Sequence, residues 1–294
     1  MDKEVRESIT KRYEELNRPH KRRALSLLFP GVKTPILLVH QYLRKIDNRF
    51  KASRLKKQDI LFKYNVARHK SLLMRKLGDS DPRLQKQKVK NLRIAGEKIN
   101  NIVIPPGKTF SFWTIVGKPT KEKGYVEGML LSDGKVIEGI GGGLCQLSNL
   151  LYWLFLHSPV KVIERHHHSM DVFPDSGRVI PFGSGATIMY NFIDLKVKNT
   201  SKEKLQIRIW LTDNHLNGQI LSEGIIKEKY HVLEKNHLFA NKGGKYFRFN
   251  EIWRQTITEG KILKEEKITE NFAPVLYKID KDYIDRNKLD CIDL

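Results

Sequence analysis

The residues best suited to chemistry lie in one stretch, Gly139-Ile140-Gly141-Gly142-Gly143-Leu144-Cys145-Gln146-Leu147-Ser148-Asn149. A glycine run delivers the chain into a cysteine, and an apolar helical pattern starts at once. Leu147, Leu150, Leu151, Leu154 and Phe155 recur at helical spacing and mark one face of a helix. The pattern stops at His157-Ser158-Pro159. Cys145 is therefore predicted in the first helical turn, where unpaired N–H groups and the positive end of the helix dipole meet. That position is expected to lower the thiol pKa and favour the nucleophilic thiolate. The glycines let the backbone turn tightly and let a substrate come close. The competing reading makes Cys145 an inert, packed hydrophobe.

A nucleophilic thiol wants a histidine to take its proton and a third group to orient that histidine. The triplet His166-His167-His168 follows the strand-like Val160-Lys161-Val162-Ile163-Glu164-Arg165. On an extended chain His166 and His168 face one way and His167 the other. Arg165 is a candidate for binding a carboxylate or an oxyanion. Asp171, Asp175 and Asp194 are candidate orienters, and spacing does not choose among them. Adjacent histidines diverge, and neither Cys-x-x-Cys nor His-x-x-x-His spacing is present, so no metal and no cofactor are expected. The rival reading leaves the triplet as a polar strand end with one packed histidine.

The elements that must position these groups are legible as blocks. Helical, basic character runs from residue 3 to about 30, and a second helical piece covers about 35–49. Pro82 to about Asn100 reads as a helix with Leu84, Val89, Leu92, Ile94, Ala95 and Ile99 on its apolar side. Ile102-Val103-Ile104 and Thr109-Phe110-Ser111-Phe112-Trp113 read as strands, and Gly134 centres a hairpin. After the cysteine helix come further strands, with a turn at Asn217-Gly218. The last 70 residues repeat strand and turn, and the polar tail from Lys281 is expected to fray. The fold class is α+β: a basic helical N-terminal region over 1–90, then a mixed α/β domain over 91–224 with a central Cys-bearing helix, then a β-rich extension over 225–294.

Composition narrows the function classes. Residues 1–90 hold 25 Lys+Arg against 9 Asp+Glu, whereas the rest hold 29 against 24. The basic segment favours an anionic membrane surface or wall polymer, with residues 1–50 the contact, or else it is a solvated face. No nucleic-acid recognition motif accompanies it, so no specific nucleic-acid partner is expected. Two cysteines make no disulfide framework. The charged start carries no secretory pattern and no apolar run reaches spanning length, which points to a cytoplasmic protein, with membrane association open.

Several segments together resemble a known family. They are Pro-Gly-Lys-Thr-Phe-Ser-Phe-Trp (106–113), Gly-Gly-Gly-Leu-Cys-Gln-Leu-Ser-Asn-Leu-Leu (141–151), Arg-His-His-His (165–168), Phe-Pro (173–174), Ala-Thr (186–187) and Ile-Asp-Leu-Lys-Val-Lys-Asn (193–199). In combination and order they resemble the VanW family. The resemblance implies a part in glycopeptide resistance. It also implies L,D-transpeptidase-like acyl transfer on peptidoglycan stem peptides, with Cys145 as nucleophile and His168 as base. Arg165 would assist, and Gly141, Gly142, Gly143, Gln146, Ser148, Phe112 and Trp113 would contact substrate or oxyanion. Many members read Gly-x-Asp-Ala-Thr where this chain has Gly185 in place of the acid. A non-catalytic accessory or binding protein of the cell envelope is the alternative.

Overall fold

The computed structural model describes residues 3–17, 39, 42–44, 46, 54–74, 82–132, 135–167, 170–171, 180–279, 283–284 and 290–294. The architecture is α+β. Helix α1 (Lys3–Asn17) is followed by strands β1 (Lys56–Lys57) and β2 (Tyr64–Leu72), then helix α2 (Pro82–Ile99). Next come β3 (Ile102–Ile104), β4 (Thr109–Ser111), the short helix α3 (Phe112–Val116) and the hairpin β5 (Glu127–Ser132) and β6 (Lys135–Ile140). Helix α4 (Cys145–Leu156) leads into β7 (Val160–Glu164), β8 (Lys196–Asn199), β9 (Leu205–Leu211) and β10 (His215–Ser222). Three long strands, β11 (Lys229–Lys242), β12 (Lys245–Thr258) and β13 (Lys261–Pro274), and the short β14 (Cys291–Asp293) complete the chain.

The strands form a five-stranded sheet ordered β1-β3-β9-β10-β2, a three-stranded sheet β4-β8-β7, the β5-β6 hairpin and a C-terminal sheet β13-β12-β11-β14. One core joins the first three and takes in Val232 and Ile252 of the fourth. Leu92, Ala95 and Ile99 of α2 and Leu147, Leu150, Leu151, Leu154 and Phe155 of α4 are buried in it beside Phe110, Val197, Ile207 and Ile220. Both helices lay their apolar stripes on the sheets, as their periodicity requires.

Four expectations are corrected. Residues 64–72, placed in the helical N-terminal region, form an edge strand of the central sheet. Tyr64, Val66, His69 and Ser71 are half-buried and Asn65, Arg68, Lys70 and Leu72 exposed, the alternation of a strand shifted once by a bulge before the buried Ala67. Phe112 and Trp113 leave the strand for α3, because the Ser111 hydroxyl accepts from the Thr114 N–H and caps a helix start. Asn217-Gly218 is no turn and lies within β10. A Cβ at Gly218 would stand 2.6 Å from Leu154 Cδ1, so the glycine lets α4 lie close against the sheet. The tail does not fray at its end. β14 pairs in parallel with β11, while Ile292 and Leu294 pack on Val5, Ile9 and Phe247. The helix expected from residue 3 is present over Lys3–Asn17, whereas residues 18–30, most of 35–49 and the tip of the hairpin at Gly134 lie outside the described residues.

Among the described residues no helix is long and apolar enough to cross a membrane.

The glycine run docks the β5-β6 hairpin against the loop that precedes α4. A Cβ on Gly142 would sit 2.1 Å from the Gly128 carbonyl carbon, so two backbones touch there. The buried Asn91 of α2 ties the contact, donating to Gly142 O at 2.9 Å and Val126 O at 3.0 Å and accepting from the Val126 N–H at 2.9 Å. Gly142→Ala is expected to destabilise the protein by roughly 2–4 kcal/mol, because backbone rather than a side chain must move. Urea unfolding would read this as a lowered midpoint. A midpoint equal to the wild type's would show that the close approach is not required.

Candidate functional site

Cys145 opens α4, as the glycine-to-helix transition predicts. The N–H groups of Gly143, Leu144 and Cys145 have no acceptor among the described residues, whereas the Gln146 N–H is taken by Gly143 O at 3.0 Å. Three consecutive amides at a positive helix end form a donor set for developing negative charge. Gly141 and Gly142 themselves are buried, against Pro119 and Gly128 respectively, and Gly143 packs on the Lys88 stem. Lys88 is held by Leu73 O and Gln85 Oε1, both at 2.6 Å.

The first turns of α4 lie against residues 186–188. Ser148 Oγ donates to Ala186 O at 2.5 Å, Asn149 Oδ1 accepts from the Ala186 N–H at 2.7 Å, and Cys145 Sγ donates to Ile188 O at 4.0 Å. Gly185 lies beside this seam, where a Cβ would meet Asn149 Oδ1 at 2.7 Å. The half-buried cysteine packs against the core. Burial pushes its thiol above the ordinary value, against weaker lowering by the backbone at Ile188 and at Cys145 itself. Burial thus opposes the lowering of the thiol pKa that the helix end is expected to give.

The far side of the same segment carries the histidine strand. His166 pairs with Thr187, whose N–H donates to His166 O at 2.8 Å. His166 is therefore one strand spacing, about 5 Å, from the segment that meets the sulphur. Its Nε2 lies 3.5 Å from Glu164 Oε1. Glu164 also bonds Arg44, accepts from Lys196 Nζ at 2.9 Å, and accepts from the Asp194 N–H at 3.1 Å. Burial opposes ionisation of Glu164, but the Lys196 and Arg44 contacts outweigh it and hold the carboxyl below the usual range. Neither Glu164 nor Lys196 was singled out from sequence. The alternation of Glu164 and His166 on one strand face was the available signal.

The remaining predicted residues divide. Arg165 is committed to the fold: its Nε donates to Gly185 O at 2.8 Å, Nη2 to Gly183 O, and Nη1 to Thr269 Oγ1 at 3.2 Å, while the guanidinium lies over Tyr152. Gln146 reaches Ser71 Oγ and Leu72 O on β2. Phe112 and Trp113 are buried, and the Trp113 indole N–H donates to Ile193 O. Asp194 accepts from Ser111 Oγ at 2.6 Å and the Trp113 N–H at 3.2 Å. Burial raises its carboxyl. Asp171 belongs to the C-terminal sheet, ion-paired to Arg248 at 3.3 Å. His168 and Asp175 lie outside the described residues. Among the described residues no three His, Cys, Asp or Glu side chains converge as metal ligands do.

Comparison with known proteins adds a second line. Residues 87–221 match the family described as VanW like protein. The chain is 34% identical over 176 residues to the vancomycin B-type resistance protein VanW of Enterococcus faecalis, covering 60% of this chain and 64% of that protein. It is 30% identical over 150 residues to the uncharacterized protein YoaR of Bacillus subtilis, covering 51% and 48%. The chain thus spans less than two thirds of either relative. No solved structure matches it.

The raised thiol makes a labelling prediction. In a Cys291→Ser background, iodoacetamide is expected to alkylate Cys145 more slowly at neutral pH than a short cysteine peptide, with its rate inflecting above the ordinary value of about 8.5. Intact mass against time over a pH series reads the rate. An inflection below the peptide's would show a thiolate already stabilised in the resting protein.

Proposed function

Because this chain belongs to the VanW-like family through residues 87–221, we propose that it serves the cell-envelope response to glycopeptides and that Cys145 is the nucleophile of an acyl-transfer reaction on peptidoglycan stem peptides. The supporting observation is the placement of Cys145 at the three open amides of residues 143–145, one strand away from the His166–Glu164 pair. The relative from Enterococcus faecalis is named for vancomycin B-type resistance, which supplies the envelope context.

In this reading the substrate carbonyl displaces the thiol from Ile188 O. A histidine of the triplet takes the thiol proton as sulphur attacks the carbonyl carbon. His166 is the described candidate, with Glu164 holding its ring. His168 is the one that the family resemblance implies. The amides of Gly143, Leu144 and Cys145 receive the oxyanion. The C–N bond breaks, the histidine returns its proton to the leaving amine, and a thioester remains. An amine of a second stem attacks that thioester, the C–S bond breaks, and the thiolate is reprotonated. Arg165 acts as a positioning residue, holding the 183–185 loop beside the seam.

A second reading has its own observation. The sulphur is turned to Ile188 O and its pKa is raised, as suits a non-catalytic envelope protein in which Cys145 closes a structural seam.

Incubation with a disaccharide tetrapeptide, followed by intact-protein mass, separates the two. The acyl-enzyme reading expects an adduct of the acyl-donor mass on wild type and none on Cys145→Ala. His166→Ala and His168→Ala then identify the base, the true one slowing adduct formation by roughly 10²-fold or more. If no adduct forms while Cys145→Ala melts well below wild type, the cysteine is structural.

A further inference from the structure

Residues 39, 42–44 and 46 are helical. Val39, Tyr42, Leu43 and Ile46 recur at i, i+3, i+4 and i+7, so they share one helix face. That face is turned to solvent: the four residues are 57%, 65%, 57% and 36% exposed. Arg44 stands about 150° round the helix axis from the centre of this stripe. Its guanidinium bonds Glu164 and donates to Phe192 O at 3.1 Å. The polar side of the helix is therefore docked and its apolar side presented, the reverse of what apolar burial alone would give.

Exposed apolar residues also flank the two anchors of Arg44. Ile163, the unpaired residue of the β7 bulge, precedes Glu164 and is 47% exposed. Met189, three residues before Phe192, is 50% exposed. Single exposed apolar residues need no explanation, but a helical stripe with such neighbours marks a contact surface.

Cations rim the stripe. Lys161 of β7 and Lys198 of β8 stand directly opposite each other, and Lys198 shares a sheet face with Lys196, two residues before it. Lys196 Nζ reaches Glu164 at 2.9 Å, so this is the face on which Arg44 docks. Lys161 and Lys198 are exposed, and among the described residues no carboxylate pairs with either. In sequence, residues 44–57 carry seven Lys+Arg against one Asp.

An apolar helix face with a cationic rim suits the plane of a lipid surface: the apolar side chains enter the acyl boundary and the lysines reach anionic headgroups. A second copy of the chain fits less well, since two like-charged rims would meet in a protein of formal net charge +21. Helix α1 does not supply this contact, because its Val5 and Ile9 are packed on the C-terminal sheet. We propose that the face formed by Val39, Tyr42, Leu43 and Ile46, with Lys161 and Lys198, docks the protein on an anionic membrane surface. The docking rests on no chemistry at Cys145. Arg44 ties this face to Glu164, the carboxylate beside His166, so docking sets the His166 side of the molecule next to the lipid.

Co-sedimentation of the full chain with vesicles tests this, using phosphatidylcholine alone and phosphatidylcholine with about 30 mol% phosphatidylglycerol. The anionic vesicles are expected to bind at least tenfold more tightly, and high salt to weaken that binding. Tyr42→Ser and Leu43→Ser should each weaken it by about tenfold, the scale of one apolar side chain left in water. Lys161→Gln combined with Lys198→Gln should weaken it roughly 30-fold. Leu263→Ser, at an exposed leucine of β13, should bind like wild type. All these positions are exposed, so the variants are expected to fold, as circular dichroism would check. Three results would overturn the proposal. The first is no binding to anionic vesicles at about millimolar lipid. The second is binding that Tyr42→Ser and Leu43→Ser leave unchanged, or that Leu263→Ser weakens equally; charge alone, or any exposed apolar residue, would then be responsible. The third is a lipid-free dimer by sedimentation velocity that Leu43→Ser dissociates, which would assign the stripe to a second copy.

Discussion

The seam between the first turns of α4 and residues 186–188 is the contact on which the cysteine region depends. Ser148 and Asn149 satisfy the carbonyl and the N–H of one residue, Ala186, and Cys145 faces the carbonyl two residues on. A helix thereby substitutes for the missing neighbour strand of a short extended segment, whose polar groups would otherwise be buried unpaired. On the other side the same segment pairs with the histidine strand through Thr187. Helix, segment and strand are fixed as three adjacent layers, and this sets how near a histidine comes to the sulphur. Arg165 secures the approach to the segment by tying Gly183 O and Gly185 O.

Charge is concentrated behind that layer. Lys196 is almost fully buried and ion-paired to Glu164, which also binds Arg44 and the Asp194 N–H. Removing one member of such a group leaves an uncompensated buried charge, which is more damaging than the pair is stabilising. The arrangement gives Glu164 a fixed orientation and an ionised form, both needed if it is to steer a histidine. It also links the helical residues 42–44 to β7 and β8, and so joins part of the basic N-terminal region to the core.

The C-terminal strands make a separate contribution. Helix α1, from the very start of the chain, packs on this sheet through Val5 and Ile9, and Ser8 and Arg12 bond Glu270. Arg248 and Asp171 form a nearly dry ion pair between the sheet and the loop after the histidines. The two chain ends therefore meet on one face, and the sheet also holds Arg165 through Thr269 and Phe182 O through Asn250.

Much of this was legible in the residues themselves. Periodicity marked α2 and α4 with nearly correct bounds, because an apolar stripe at 3.6 spacing has one physical solution. Glycine followed by apolar helix placed Cys145 at an N-terminus. What tertiary structure alone decided is the environment of those residues. Local context gives the cysteine a helix end, which lowers a thiol pKa, but only packing reveals the desolvation that raises it. Gly218 reads as a turn until Leu154 is set against it, since a glycine records backbone freedom and close approach with the same symbol. Arg165 reads as a free cation until two carbonyls some 20 residues away in sequence close on it. Glu164 and Lys196 read as strand-face charges until β7 and β8 pair. Side-chain type and spacing determine which element forms, whereas the partners that tune each group arrive from distant parts of the chain.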